Sequence, residues 1–117
     1  MRHNEDTLQK SCVEWFDLQH RIWSWALFHV PNGGQRNAKE AAKFKAMGVR
    51  PGVPDLMLIL PRHGYHYLAL ELKVGKNTQT DRQRAYKTYI ETTGGKYAVI
   101  RSLDQFIETI NDYLKPD

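Results

Sequence analysis

Asp55, Glu71 and Lys73 are the residues of this chain whose types and spacing best fit hydrolytic chemistry. Asp55 closes the run Gly52-Val53-Pro54-Asp55 and leads into the apolar stretch 56–60, while Glu71 and Lys73 end a second such stretch. Pro61-Arg62-His63-Gly64 interrupts the two, so a β-hairpin is the economical reading. If Leu60 faces His66, Asp55 falls opposite Glu71. Like charges placed opposite each other on one sheet face repel. A divalent cation between them turns that repulsion into ligation. Lys73, two residues beyond Glu71, shares its face, so the hairpin mouth should carry two carboxylates and one ammonium. A slip of one residue would send Glu71 to the other face.

The remaining elements have to hold that hairpin. The chain has 117 residues, 41% of them hydrophobic and 26% charged, as in an ordinary globular protein, and its length fits one domain over 1–117. A first helix is predicted over 5–20, capped by Asn4 or Asp6, with Leu8, Cys12, Trp15 and Phe16 at helical spacing. The Trp, Phe and Val content of 23–30 favours a strand stopped by Pro31. A loop follows, then a helix over 38–47 capped by Asn37 and closed by Gly48. Within 67–74, Leu68, Leu70, Leu72 and Val74 alternate with Tyr67, Ala69, Glu71 and Lys73, the period of a strand.

Thr80 with Gln83 forms a capping box opening a helix to about position 93, which Gly94-Gly95 terminates. A strand over 97–101 and a helix over 103–114, introduced by Ser102 and Gln105, complete the chain. Strand, helix, strand at this spacing implies a right-handed crossover, so the last strand should run parallel to 67–74. The expected fold class is α/β, a central mixed sheet flanked by helices in the order α-β-α-β-β-α-β-α.

Lys and Arg outnumber Asp and Glu, for a net charge of +4, which permits a polyanionic partner without demanding one. The placement says more. Arg36, Lys39, Lys43, Lys45 and Arg50 stand against Glu40 alone, and Lys73, Lys76, Arg82, Arg84 and Lys87 against Asp81 alone. These basic segments flank the hairpin carboxylates in sequence, although solvated helix faces account for many such runs. The lone Cys12, with apolar neighbours, suits a buried thiol in a reducing compartment. With no signal peptide and no apolar stretch of membrane length, a cytoplasmic location is expected. His3, His63 and His66 lack metal-ligand spacing with Cys12, which argues against zinc.

Asn32-Gly33-Gly34, the run Met47-Gly48-Val49-Arg50-Pro51-Gly52-Val53-Pro54-Asp55, Glu71-Leu72-Lys73 and the later Gln83 together resemble the VRR-NUC family, the virus-type replication-repair nucleases of the PD-(D/E)xK superfamily. The resemblance covers nearly the whole chain and implies a restriction-endonuclease-like core that hydrolyses DNA phosphodiesters with a metal-activated water. It further implies that Asp55, Glu71 and the Leu72 main-chain carbonyl hold Mg²⁺ or Mn²⁺, with Lys73 as a fixed positive charge. A helix carboxylate completes the family's acidic set. Glu5, followed by Leu8-Gln9, fits better than Glu14. Gln83 serves either as half of a capping box or beside the metal or phosphate. His29, Asn32, Arg36, Arg50 and Lys76 are candidates for contacting DNA. Standalone domains of this kind are similar to Holliday junction resolvases, which implies a homodimer on four-way DNA, with the aromatic stretch from Trp15 to Phe28 as its surface. Flap or nicking cleavage, or nucleic-acid binding without catalysis, are the alternatives.

Overall fold

The computed structural model describes residues 2–31 and 37–116, with the side chains of Arg2 and His3 excepted. Asn32 and Arg36 therefore lie outside the described residues. Helix α1 (Arg2–Gln19) is followed by a 3₁₀ helix (Arg21–Ala26) and strand β1 (Leu27–His29). Helix α2 (Ala38–Ala46) precedes β2 (Leu56–Leu58) and β3 (Tyr67–Leu72), and the chain ends as α3 (Asp81–Thr92), β4 (Gly95–Ile100) and α4 (Leu103–Leu114). The strands form one mixed sheet in the order β1-β2-β3-β4. β4 runs parallel to β3, as the crossover through α3 requires, and the other pairs are antiparallel.

The leucine alternation sets the core face. Leu56, Leu58, Leu68, Leu70 and Leu72 point to one side, where Cys12 and Phe16 of α1 and Phe106, Ile110 and Tyr113 of α4 cover them. The helical residues recur at spacings of three and four, one stripe on each helix. Each buried Leu, Ile or Phe side chain stabilises the fold by roughly 1.5–3 kcal/mol relative to exposure. Tyr113 finds a partner for its hydroxyl inside this layer, donating to the Leu60 carbonyl at 2.6 Å. Cys12 is fully buried, and burial pushes its thiol up to about 12, so it is an inert core residue.

The stretch 23–30 is not one strand. The 3₁₀ helix takes most of it, with Trp23 N–H donating to His20 O, and only Leu27–His29 pairs with β2. On either side of these three residues the pairing continues through single bonds, Ile59 N–H to Ala26 O and Val30 N–H to Asp55 O, both at 3.0 Å. β4 also starts earlier than expected, at Gly95, because that residue passes directly over the Tyr67 ring. A Cβ there would lie 2.5 Å from ring carbons.

The hairpin connecting β2 and β3 turns at His63 and Gly64, both with positive φ (55° and 82°), the conformation of a two-residue type I′ turn. Arg62 and Tyr65 exchange both backbone hydrogen bonds across it. Continued without interruption, that pairing would set Asp55 against Leu72. Instead, Leu56 faces Leu70 and Leu58 faces Leu68. Between the two registers the first arm has one more residue than the second, in the segment containing Pro61, a one-residue bulge where proline's missing N–H does no harm. The bulge carries the register that places Asp55 opposite Glu71.

Candidate active site

The elements converge on the face of the sheet opposite the leucine core, at the end of β3. Asp55, Glu71 and Lys73 are all buried there, at 6%, 2% and 7% exposure. Charged residues almost never reach such burial unless paired or bound. β3 is buried on both faces, with Gln83 of α3 reaching Glu71 on the side away from the leucines.

Asp55 is anchored at three points. Its carbonyl accepts from Val30 N–H at 3.0 Å and from His29 Nδ1 at 2.8 Å. Because a carbonyl only accepts, Nδ1 carries the proton of that imidazole. Its carboxylate Oδ2 accepts from the Leu72 main-chain N–H at 2.7 Å. Residue 54, opposite Leu72 in this register, is a proline just past the end of β2, and the Asp55 side chain takes up the β3 amide there. The Pro-Asp pair thus ends one strand and fixes the carboxylate on the next.

Glu71 is held from α3 and β4. Gln83 Nε2 donates to Glu71 Oε2 at 2.9 Å, and the Tyr97 hydroxyl lies 3.5 Å from Oε1, itself receiving a bond from Gln79 Nε2 at 2.8 Å. Gln83 also completes the capping box: its Oε1 accepts from Thr80 N–H at 2.9 Å while Thr80 Oγ1 accepts from Gln83 N–H. The same amide therefore makes the helix cap and the bond to Glu71. Tyr97 and Gln79 were not singled out by the sequence, where they read as an ordinary strand aromatic and a polar loop residue.

Burial pushes the Glu71 carboxyl up to about 9; the neighbouring Asp55 charge and a hydrogen bond with Asp55 add to this, Lys73 opposes it, and Glu5 contributes in the raising direction. The shift favours the protonated form of Glu71 at neutral pH. Two facing hard-oxygen groups suit a divalent cation, whose charge would offset the repulsion between them. Among the described residues no group of three His, Cys, Asp or Glu is arranged to hold a metal. The two carboxylates could serve as oxygen donors to a divalent cation such as Mg²⁺, which keeps several of its own waters.

Of the two helix glutamates, Glu5 is half-buried, accepts from Asn77 Nδ2 at 3.4 Å and acts on the charge of Glu71. Glu14 is exposed, in a surface depression it shares with Lys10, Phe28 and His29. Arg50 and Lys76 are exposed, and Arg50 Nη1 donates to Lys45 O at 3.2 Å. Gly52 shows why the approach to Asp55 needs glycine. Its φ is 84°, and a Cβ would come within 2.5 Å of the Arg82 carbonyl at the start of α3. This contact ties the Pro-Asp loop to the helix that carries Gln83.

A mixed sheet between helix layers, with buried Asp, Glu and Lys gathered on one face, defines a nuclease-type α/β domain. The VRR-NUC domain model matches residues 3–104, and the chain belongs to that family, a family of nucleases. A solved structure described as a VRR_NUC domain protein superimposes with a TM-score of 0.81 at 31% identity, covering 94% of this chain and 87% of the other. Its likeness agrees with the restriction-endonuclease-like core. The comparison with curated proteins found no match. Among the described residues, no helix is long and apolar enough to cross a membrane.

Proposed function

We propose that the chain is one nuclease domain that hydrolyses DNA phosphodiester bonds with Mg²⁺ or Mn²⁺, selecting branched DNA such as four-way junctions. The observation that carries this reading is the burial of Asp55, Glu71 and Lys73 together, with Gln83 bonded to Glu71. Buried charges of this kind cost several kcal/mol each to desolvate, an expense that a purely structural ion cluster rarely repays.

In this reading Asp55, Glu71 and the Leu72 carbonyl hold the cation. When bound, it supplies positive charge to acidify water and to offset the charge developing on the phosphate. Leu72 N–H holds Asp55 in place, and Gln83 and Tyr97 fix the orientation of Glu71. Lys73 acts as a fixed positive charge toward the phosphate. Glu5 is the better choice for the helix carboxylate.

Exposed apolar residues support a homodimer. Trp25 and Ile22 are 94% and 83% exposed beside the edge strand β1, with Leu18 and Phe28 nearby. Such a patch on a small chain suits a second copy, and two sites in one dimer suit paired cuts.

The test compares four-way junction, 5′ flap and linear duplex with Mg²⁺, with Mn²⁺ and with neither, using wild type, Asp55→Ala and Lys73→Met. Wild type should cut the junction only with metal. Lys73→Met should lose about 10²-fold or more in rate while still binding metal, whereas Asp55→Ala should lose both. A wild-type protein that binds DNA but never cuts it would favour the binding-module reading, and a preference for the flap would redirect the substrate assignment.

A further inference from the structure

A groove of about 700 Å³ lies on the α3 side of the sheet, lined by Arg50, Arg82, Tyr67, Tyr86, Tyr89 and Ile90 among others. Its chemistry is distinct from that of the carboxylate site. No carboxylate lines it, two guanidinium groups do, and three tyrosines supply aromatic surface. Tyr67 is one of the lining residues, its hydroxyl hydrogen-bonded with Thr93 Oγ1 at 2.7 Å. The Tyr86 and Tyr89 rings lie 5.8 Å apart and tilted by 54°, and Tyr89 is 68% exposed.

The groove borders the loop that leads to Asp55 and the helix that carries Gln83. Arg82 directly precedes Gln83, which bonds Glu71, and the Arg82 backbone packs on Gly52 of the Pro-Asp loop. Tyr67 and Glu71 occupy the same face of β3, four residues and so about 13 Å apart. Resting on the nuclease reading above, we infer that this groove binds unpaired nucleotides of the DNA strand that runs from the cleavage site, stacking bases on Tyr86 and Tyr89 while Arg50 and Arg82 hold the phosphates. Every base has a π-face, so aromatic stacking retains single strands without regard to sequence, and arginine adds charge and planar stacking. A concave site of this volume admits a splayed base, whereas a stacked duplex presents only its backbone. The groove thereby favours branched DNA whose bases unpair at the branch point near the cut.

The experiment uses the full chain without metal and a short fluorescein-labelled oligothymidylate, read by anisotropy, with 5-iodouracil photo-crosslinking and peptide mapping alongside. The oligonucleotide should bind, crosslinks should map to Tyr86 or Tyr89, and the double variant Tyr86→Ala/Tyr89→Ala should bind about tenfold more weakly. Tyr89→Phe should bind like wild type, because stacking needs the ring and not the hydroxyl. Crosslinks that map elsewhere, or unchanged binding by a folded double variant, would overturn the inference. Crosslinking on wild type needs no variant to fold. Metal-dependent cleavage is measured in parallel. Junction cutting with no groove crosslink rejects the groove alone, and groove crosslinking without any cutting rejects the nuclease reading alone.

Discussion

Gln83 and Glu71 are joined by a single amide that also begins a helix: Nε2 donates to Glu71 Oε2 at 2.9 Å while Oε1 accepts from Thr80 N–H at 2.9 Å. A capping contact and a site contact are thus made by opposite ends of one side chain, and the substitution chosen decides which is lost. Gln83→Glu keeps an acceptor for Thr80 N–H but removes the donor to Glu71 and adds a negative charge beside it. Gln83→Ala removes both. The alanine variant should lose roughly 1–2 kcal/mol in denaturant melts. The glutamate variant should keep its cap, so an activity loss larger than its stability loss would assign the amide to the site.

Glu71 makes stability depend on pH. Its carboxyl is raised from its ordinary 4.5 to about 9, so its protonated form belongs to the folded state, and the associated stability is fully present below about 4.5 and lost as pH rises through about 9. Glu71→Gln keeps a neutral side chain at every pH. Without metal, the variant should therefore gain on wild type between pH 5 and pH 9, by roughly 5 °C or more in melting temperature at the upper end. Mg²⁺ or Mn²⁺ should narrow that gap in wild type and release protons on binding, measurable by calorimetry in buffers of different ionisation heat. A gap that stays constant across the range would mean that Glu71 is ionised in the folded protein.

Gly52→Ala tests the link between the Pro-Asp loop and α3. The new methyl would meet the Arg82 carbonyl at 2.5 Å in a left-handed conformation, φ 84°, so the variant should lose about 2 kcal/mol or more. Gly48→Ala, also at positive φ but with open space around its Cβ, should lose less. Equal losses in urea melts would mean that backbone strain alone, and not the contact with α3, sets the cost at Gly52.

Trp25→Glu with Ile22→Glu tests the dimer. Both side chains are largely exposed, so the monomer fold should survive unchanged by circular dichroism. Sedimentation at micromolar concentration should show a wild-type dimer and a monomeric double variant. A monomeric wild type would remove the dimer from the proposal and leave single cuts as the expected product.

Much of the architecture was legible because its signals are local. The leucine period of β3, the capping residues Asn37, Thr80 and Ser102 and the spacing of Phe106 and Ile110 each depend on neighbours a few positions away. Their elements lie close to where the sequence puts them, α4 with the same bounds. The stretch 23–30 was misread because the aromatic and β-branched content that suits a strand is equally tolerated in a 3₁₀ turn.

The candidate site divides along the same line. Residue types and the Pro-Asp and Glu-x-Lys spacing pointed to a pair of carboxylates with a lysine, because those signals lie within the chain's own order. Whether Asp55 and Glu71 meet was not local. The His63-Gly64 turn taken alone sets a register one residue away, and the extra residue near Pro61 restores the pairing. The amide of Leu72 on Asp55, the reach of Gln83 across from α3, Tyr97 behind Glu71 and the nearness of Glu5 all join segments far apart in sequence. Such contacts are set by how layers pack, and packing depends on every element at once.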